Sequence, residues 1–477
     1  MSLLRHLYVL PPLAILAALG CNGGGGGGGG GNAGPPPFPV PAPPSDAVFQ
    51  LGQALFHDKI LSGNKNVACS TCHSAGTNGT DGLSLSIGQG GAGIGAVRTS
   101  GTGVMLGRNA PTLFGTAAFG YGDPSNGGTT PGGTTPGGTA PVVSISTSTF
   151  FWDSRVTVNP MSTPDPKLTD TTPDPQYQAI VTVLQTASPQ ATQAMFPVLS
   201  PQEMRGNPGE NEIASAPDNL TAWQLLMARL VGTNNGTQGG IQAYRDLFTQ
   251  AFPGVPLDQL NFAHAATAIS TFVSLAFSQA PTPFDEFQEG NTAALTPSQQ
   301  NGMALFNGKA RCATCHAGDS FSDFKPHGTA VTQVGPGMGG EPSNDRGIAL
   351  TTGVAADSYK FRTPSLRNVA VTGPWMHDGA YTTLEGAVRQ MLDPTKALAS
   401  YDSSQLRTDV AATVDTDPSR NSARLAALDP VLATPVTLTD GEVNDLVSFL
   451  GSLTDTNGIQ NAQANKPASV PSGLPVD

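Results

Sequence analysis

The 477-residue chain carries 23 basic against 35 acidic residues, a net charge of −12, which argues against a nucleic-acid binder and against an electrostatic hold on anionic lipid. Its length suits two or three domains. The 58 glycines and 41 prolines gather in a few tracts, so they mark linkers and loops and leave the middle of the chain globular.

In chain order, MSLLRHLYVLPPLAILAALGC has one Arg, an apolar run and small residues before Cys21, which reads as a bacterial export signal over 1–20 and not as a membrane span. Ala18-Leu19-Gly20-Cys21 looks like a lipobox, in which Cys21 is acylated; the alternative is plain cleavage nearby, leaving Cys21 as an odd thiol. Nine glycines and PPPFPVPAPP follow, so 21–45 is expected to be a tether with nothing to fold. Acyl chains would hold the protein on a membrane of the periplasm or cell envelope.

The other four cysteines are Cys69, Cys72, Cys312 and Cys315, and they fall in CSTCH (69–73) and CATCH (312–316). C-x-x-C-H is the attachment signature of c-type haem. Two thiols one helical turn apart add to the two vinyl groups of one porphyrin, and the adjacent histidine becomes the proximal iron ligand. A thioredoxin-like site needs no such His, and a four-Cys zinc site rarely spreads its pairs over 243 residues. Two c-type haems are therefore expected, with His73 and His316 on iron.

The flanking sequence repeats as well. GQALF (52–56) and GMALF (302–306) precede the two motifs, RNAPTLFGTAAF (108–119) has a partner in RTPSLRNVAVTG (362–373), and FFWDSR (150–155) falls where the second copy has GPWMHDG. The second copy thus offers Met376 where the first offers Trp152 and no sulfur. A thioether opposite a His-ligated haem suits electron transfer, whereas a haem with nothing there can bind oxygen species. His57, His264 and His327 read as surface or satisfied core residues, and His377 as a neighbour of the ligand or of a propionate.

Within the first copy, DPSNGGTTPGGTTPGGTAP (123–141) reads as a low-complexity insertion, and PDPKLTDTTPDPQ (164–176) lengthens the run from Trp152 to Gln193. LTAWQLLMARLVG, LNFAHAATAISTFVSLAF and GEVNDLVSFLGSL place apolar residues at helical spacings, the last starting at Asp440 and Gly441. The expected fold is mainly α, with two cytochrome c-like domains, each with one covalently bound haem. Their bounds are 46–285 and 286–457, with the seam near 282–295 and a flexible tail at 458–477.

From LGQALFHDKILSG through LTDGEVNDLVSFLGSL, about residues 48 to 455, the chain resembles the bacterial di-haem cytochrome c peroxidases. The resemblance implies that His73 serves a peroxidatic haem while His316 and Met376 bind an electron-transfer haem. It implies that Trp152 helps electrons cross, that Gln193 and Glu203 lie over the open face of the first haem, and that Asn109 helps hold a calcium ion. A carboxylate at Glu203 can shuttle a proton between peroxide oxygens, and an amide at Gln193 can orient peroxide without adding charge. The family's blocking histidine is missing from 74–108; the expectation is an open first haem in the oxidised protein, with Met105 as an alternative cap.

The function expected is reduction of hydrogen peroxide to water, with electrons from a small periplasmic c-type cytochrome or copper protein, and a homodimer is expected. The alternatives are a di-haem protein-modifying oxidase, whose members use tyrosine where this chain has Met376, and a pure electron-transfer cytochrome.

Overall fold

The computed structural model describes residues 46–116, 149–157, 164–170 and 174–477. The signal at 1–20, the tether at 21–45 with Cys21, and the insertion at 123–141 lie outside the described residues.

Helix α1 (Asp46–His57) buries Leu51, Ala54 and Leu55, an i, i+3, i+4 stripe. It leads through a short 3₁₀ turn into α2 (Cys69–Cys72), the first C-x-x-C motif. The longest helix, α3 (Phe262–Ala276), starts where the Asn261 side chain accepts from the Ala263 N–H and is buried nearly all round. The second copy follows with α4 (Pro297–Asn307) and α5 (Asp440–Gly451). Asp440 is the first helical residue rather than the cap: Thr439 caps α5, in a capping box with Glu442.

The repeated glycines explain why these helices pair. A Cβ on Gly52 would lie 1.9 Å from the Ala268 carbonyl oxygen and 2.8 Å from the Phe272 Cβ, so α1 and α3 cross there. A Cβ on Gly302 would lie 1.9 Å from the Asp445 oxygen and 2.7 Å from the Phe449 Cβ, so α4 and α5 cross in the same way. Only glycine permits either approach. The repeat read in GQALF and GMALF is therefore a repeat of helix crossing.

Among the described residues the few strands form two short antiparallel pairs. In one, β1 (Thr149–Phe150) pairs with β2 (Val156–Thr157) and turns through Trp152; in the other, β3 (Pro326–Gly328) pairs with β4 (Lys360–Arg362). They are joined where the Arg362 N–H donates to the Trp152 carbonyl at 2.9 Å.

One apolar core holds α1, α3 and Trp223, with Ala462 from near the C-terminus. A second surrounds Phe306, Phe321 and Phe449. A third mixes the copies, since Leu85 packs with Val334 and Tyr381. All described residues belong to one packed unit.

Residues 458–477, expected to be a flexible tail, are ordered. Helix α6 (Thr456–Ala464) starts on an Asp455 cap, and the chain then returns to the first copy. Ser472 donates from both Oγ and N–H to Asp58, at 2.6 and 3.2 Å. Asp477 pairs with Lys59 at 2.5 Å and accepts from the Thr71 hydroxyl inside the first C-x-x-C motif. These groups are bound to partners far away in the chain, which the local sequence does not reveal.

Candidate haem centres and peroxide pocket

Both C-x-x-C-H motifs fold alike. The His73 N–H caps α2 by donating to the Cys69 carbonyl at 3.0 Å, and the His316 N–H donates to Cys312 at the same distance. Each imidazole Nδ1 meets a backbone carbonyl, Gly79 at 3.1 Å for His73 and Phe321 at 2.8 Å for His316. A carbonyl only accepts, so Nδ1 carries the proton and the Nε2 lone pair is left for a metal. Burial depresses the pKa of both rings, which keeps them neutral as ligands must be. Burial likewise pushes the Cys69 and Cys312 thiols up to about 12.

A cavity of about 260 Å³ opens beside the second motif, and its lining includes Cys312, Cys315, His316, Trp375, Met376 and Trp152. Met376 and His316 thus face one space, from elements sixty residues apart in sequence. Met376 has φ +78°, a conformation that costs a non-glycine residue and persists only where its surroundings hold it. Here the Trp375 and Tyr381 main chains exchange hydrogen bonds at 2.8 and 3.4 Å across the loop. His377, one residue on, is buried, stacks on Phe361 at 3.7 Å and also lines the cavity.

The lining fits a haem. It is largely apolar, it carries two thiols and a free imidazole nitrogen, and it contains one orphaned cation. The Arg362 Nε donates to the Phe151 carbonyl at 3.1 Å, but its Nη1 is buried with no hydrogen-bond partner among the described residues, and burial lowers its pKa to about 10. A propionate would supply the missing anion.

At the first motif, Glu203 sits on a π-helical turn, Pro201–Arg205, and Ser200 Oγ accepts from its N–H at 3.4 Å. Burial raises the Glu203 pKa, while the charges of Arg155 and Arg108 and a hydrogen bond with Ser200 oppose that rise. The Glu203 charge in turn acts on the Cys72 thiol, which sets the carboxylate on the side of the first motif. Gln193 is half-buried near the end of helix Pro189–Ala194, whose next turn leads through Phe196. Arg155 lies over the Phe151 ring at 4.0 Å and the Phe196 ring at 5.5 Å, so FFWDSR and the Gln193 to Glu203 segment form one wall.

Met105 pairs across an isolated bridge with Ile87 and packs on the core around Leu85 and Tyr381, a core built mainly from the second copy.

Trp152 lies at the edge of the second cavity. Its Nε1 donates to the Asn109 carbonyl at 3.0 Å, and it lines the second cavity together with Asn109 and Pro111. The Pro111 carbonyl also faces His73. The Asn109 side-chain nitrogen is directed at the carbonyls of Leu83, Ser84 and Pro374, at 2.8, 3.2 and 3.4 Å.

Beside Asn109, Arg108 ion-pairs with Asp153 at 2.7 Å and forks onto Asp345 at 2.7 and 2.9 Å. Sequence reading gave no role to Arg108, Asp345 or Arg362, and Arg155 was noticed only as the end of FFWDSR. Of the histidines set aside, His57 and His264 are buried and hydrogen-bonded to Gln53 and Asn261. His327 lines the second cavity, gripped by Asp429 at 2.6 Å and Asp323 at 2.9 Å.

A mainly helical fold with two C-x-x-C-H turns, each presenting a free imidazole nitrogen, defines a c-type cytochrome class with two centres. The profile of the di-haem cytochrome c peroxidase family matches residues 46–293, and the chain belongs to that family. It is 26% identical over 339 residues to the methylamine utilization protein MauG of Methylorubrum extorquens, covering 71% of this chain and 66% of that protein. It is 26% identical over 353 residues to the cytochrome c551 peroxidase of Pseudomonas aeruginosa, covering 73% and 72%. The crystal structure of a MauG-like protein associated with microbial copper homeostasis matches with a TM-score of 0.56 and 26% identity, over 89% of this chain and 94% of that one.

Proposed function

We propose that this oxidoreductase reduces hydrogen peroxide to water at the centre built on Cys69, Cys72 and His73. Electrons reach it from a small donor protein through the centre built on Cys312, Cys315, His316 and Met376. The observation that carries the reading is the asymmetry of the two centres: Met376 shares a cavity with His316, while a half-buried carboxylate, Glu203, stands by the first motif. When bound, the haems supply a peroxide-binding iron at the first centre and an electron relay at the second.

The protein's own residues do the rest. His73 and His316 hold Nε2 toward the metal by donating Nδ1–H to backbone. The Glu203 carboxylate takes the proton from one peroxide oxygen and returns it to the oxygen that departs as water. Gln193 orients peroxide, and Arg155 offsets the carboxylate's charge. Trp152 bridges the centres, and Asn109 with the Leu83, Ser84 and Pro374 carbonyls holds a calcium ion between them. With two electrons and two protons, each peroxide yields two waters.

The packing of Met105 against Leu85 and Tyr381 favours an uncapped first iron, ready in the oxidised protein. We place the protein at the cell envelope, anchored through an acylated Cys21, as a homodimer. Mixing oxidised and half-reduced protein separately with peroxide tests the reading: fast reaction of the oxidised form supports it, and peroxide left unconsumed in both forms refutes it. The equal identity to MauG supports a second reading, a protein-modifying oxidase. In that case peroxide without donor would leave an oxidised residue on a partner protein, seen by mass spectrometry.

A further inference from the structure

The loop after the first motif is closed on a single arginine. Arg98 is 3% exposed. Its Nε donates to the Ile87 carbonyl at 2.6 Å, Nη1 to Gly93 at 2.7 Å and Nη2 to Gly88 at 2.7 Å. Among the described residues no carboxylate forms an ion pair with it. The loop has no stiffness of its own, because residues 87–105 include seven glycines. A Cβ on Gly91 would lie 2.7 Å from the guanidinium, so the chain is wrapped tightly around it.

The wrapped loop rests directly on the turn that carries Glu203. A Cβ on Gly88 would lie 2.1 Å from the Gln202 carbonyl oxygen and 2.9 Å from the Glu203 Cα. The Gln89 N–H donates to the Gln202 carbonyl at 2.9 Å, and Gln89 Nε2 donates to the Met204 carbonyl. The carbonyl of Gly88 that Arg98 holds therefore belongs to the residue that touches the Glu203 backbone.

We propose that Arg98 is a positioning residue for Glu203: by fixing residues 87–93 it fixes the backbone at 202–204 and aims the carboxylate at the first centre. This rests on the reading of Glu203 as the proton-transfer group. Three diverging donors on a planar fork meet three carbonyls, which the point charge of lysine cannot reproduce.

The test uses holoprotein with both haems. Amide hydrogen exchange is followed for peptides covering 87–93 and 200–205, alongside the pH profile of kcat/KM for peroxide. In Arg98→Gln, exchange should rise in both segments together, kcat/KM should fall on the order of 10²-fold, and the acid limb of the profile should move. Haem content and the second haem's spectrum should stay as in the parent, and Arg98→Lys should fall between. Gly88→Ala keeps Arg98 and should disturb 200–205 and the acid limb while 93–98 stays protected; it serves also if Arg98→Gln does not fold. Exchange that rises at 87–93 while 200–205 and the acid limb stay unchanged overturns the proposal. A parent protein inert to peroxide sinks the peroxidase reading instead, and the paired exchange of the two segments still decides the role of Arg98.

Discussion

Glu203 and Met376 are single residues whose roles separate by chemistry. Burial holds the Glu203 pKa above the ordinary carboxylate value, and the carboxylate accepts a proton only when ionised. Peroxide turnover should therefore climb with pH through that raised pKa, falling away on its acid side. Glu203→Gln should lower kcat/KM by about 10²–10⁴ and abolish the acid limb; stopped-flow assays across pH check both. Met376→Leu keeps the volume but removes the thioether, so the second haem should lose its His/Met spectrum and its potential should fall. An unchanged spectrum would return Met376 to packing. The candidate haem-binding residues can be named from sequence because C-x-x-C-H is a local motif whose spacing is itself the chemistry. Arg362 and Arg155 are not marked in this way, since the first is read from a buried nitrogen left without a hydrogen bond among the described residues and the second from its place over the distant Phe196 ring.

The repeat of GQALF in GMALF is legible in sequence, but the helix crossing behind it is seen only in the packing. Gly52 and Gly302 each leave 1.9 Å for a Cβ against a facing carbonyl, so Gly52→Ala and Gly302→Ala should each destabilise by about 1–3 kcal/mol. The two should shift thermal melting alike although 250 residues separate them. The C-terminal segment was misread for the opposite reason. Residues 466–477 have no helical periodicity, yet Asp58 collects bonds from Ser472 and from the Tyr244 hydroxyl at 2.7 Å, and Asp477 reaches Thr71 and Lys59. Deleting 466–477 should lower the melting temperature and raise exchange at α2, with the second haem unaffected.

Across the whole molecule, Arg108 links the two copies through Asp153 and Asp345. Both carboxylates are buried; Asp153 keeps Arg155 at 3.4 Å, but Asp345 has no other ion-pair partner among the described residues, so Arg108→Gln strands its charge and should cost about 3–5 kcal/mol, read as a lower denaturation midpoint. The sign with pH follows from Asp345. Burial would raise its pKa, but the bonds from Arg108 prevail and lower it. The stability it contributes is complete above the unfolded carboxylate value and is lost as pH falls through its lower folded value, so Arg108→Gln should flatten that acid loss. Such coupling between residues 237 apart carries no mark in the sequence, whereas the order of the matching stretches made the two-copy plan readable.

The most direct measurement is to mix fully oxidised holoprotein with one equivalent of peroxide and follow both haem spectra on the millisecond scale. The account expects an immediate change at the His73 haem, an unaltered His316/Met376 haem, and consumption of peroxide without prior reduction. A first haem that stays silent until the second is reduced, or peroxide that persists in both states, would contradict it.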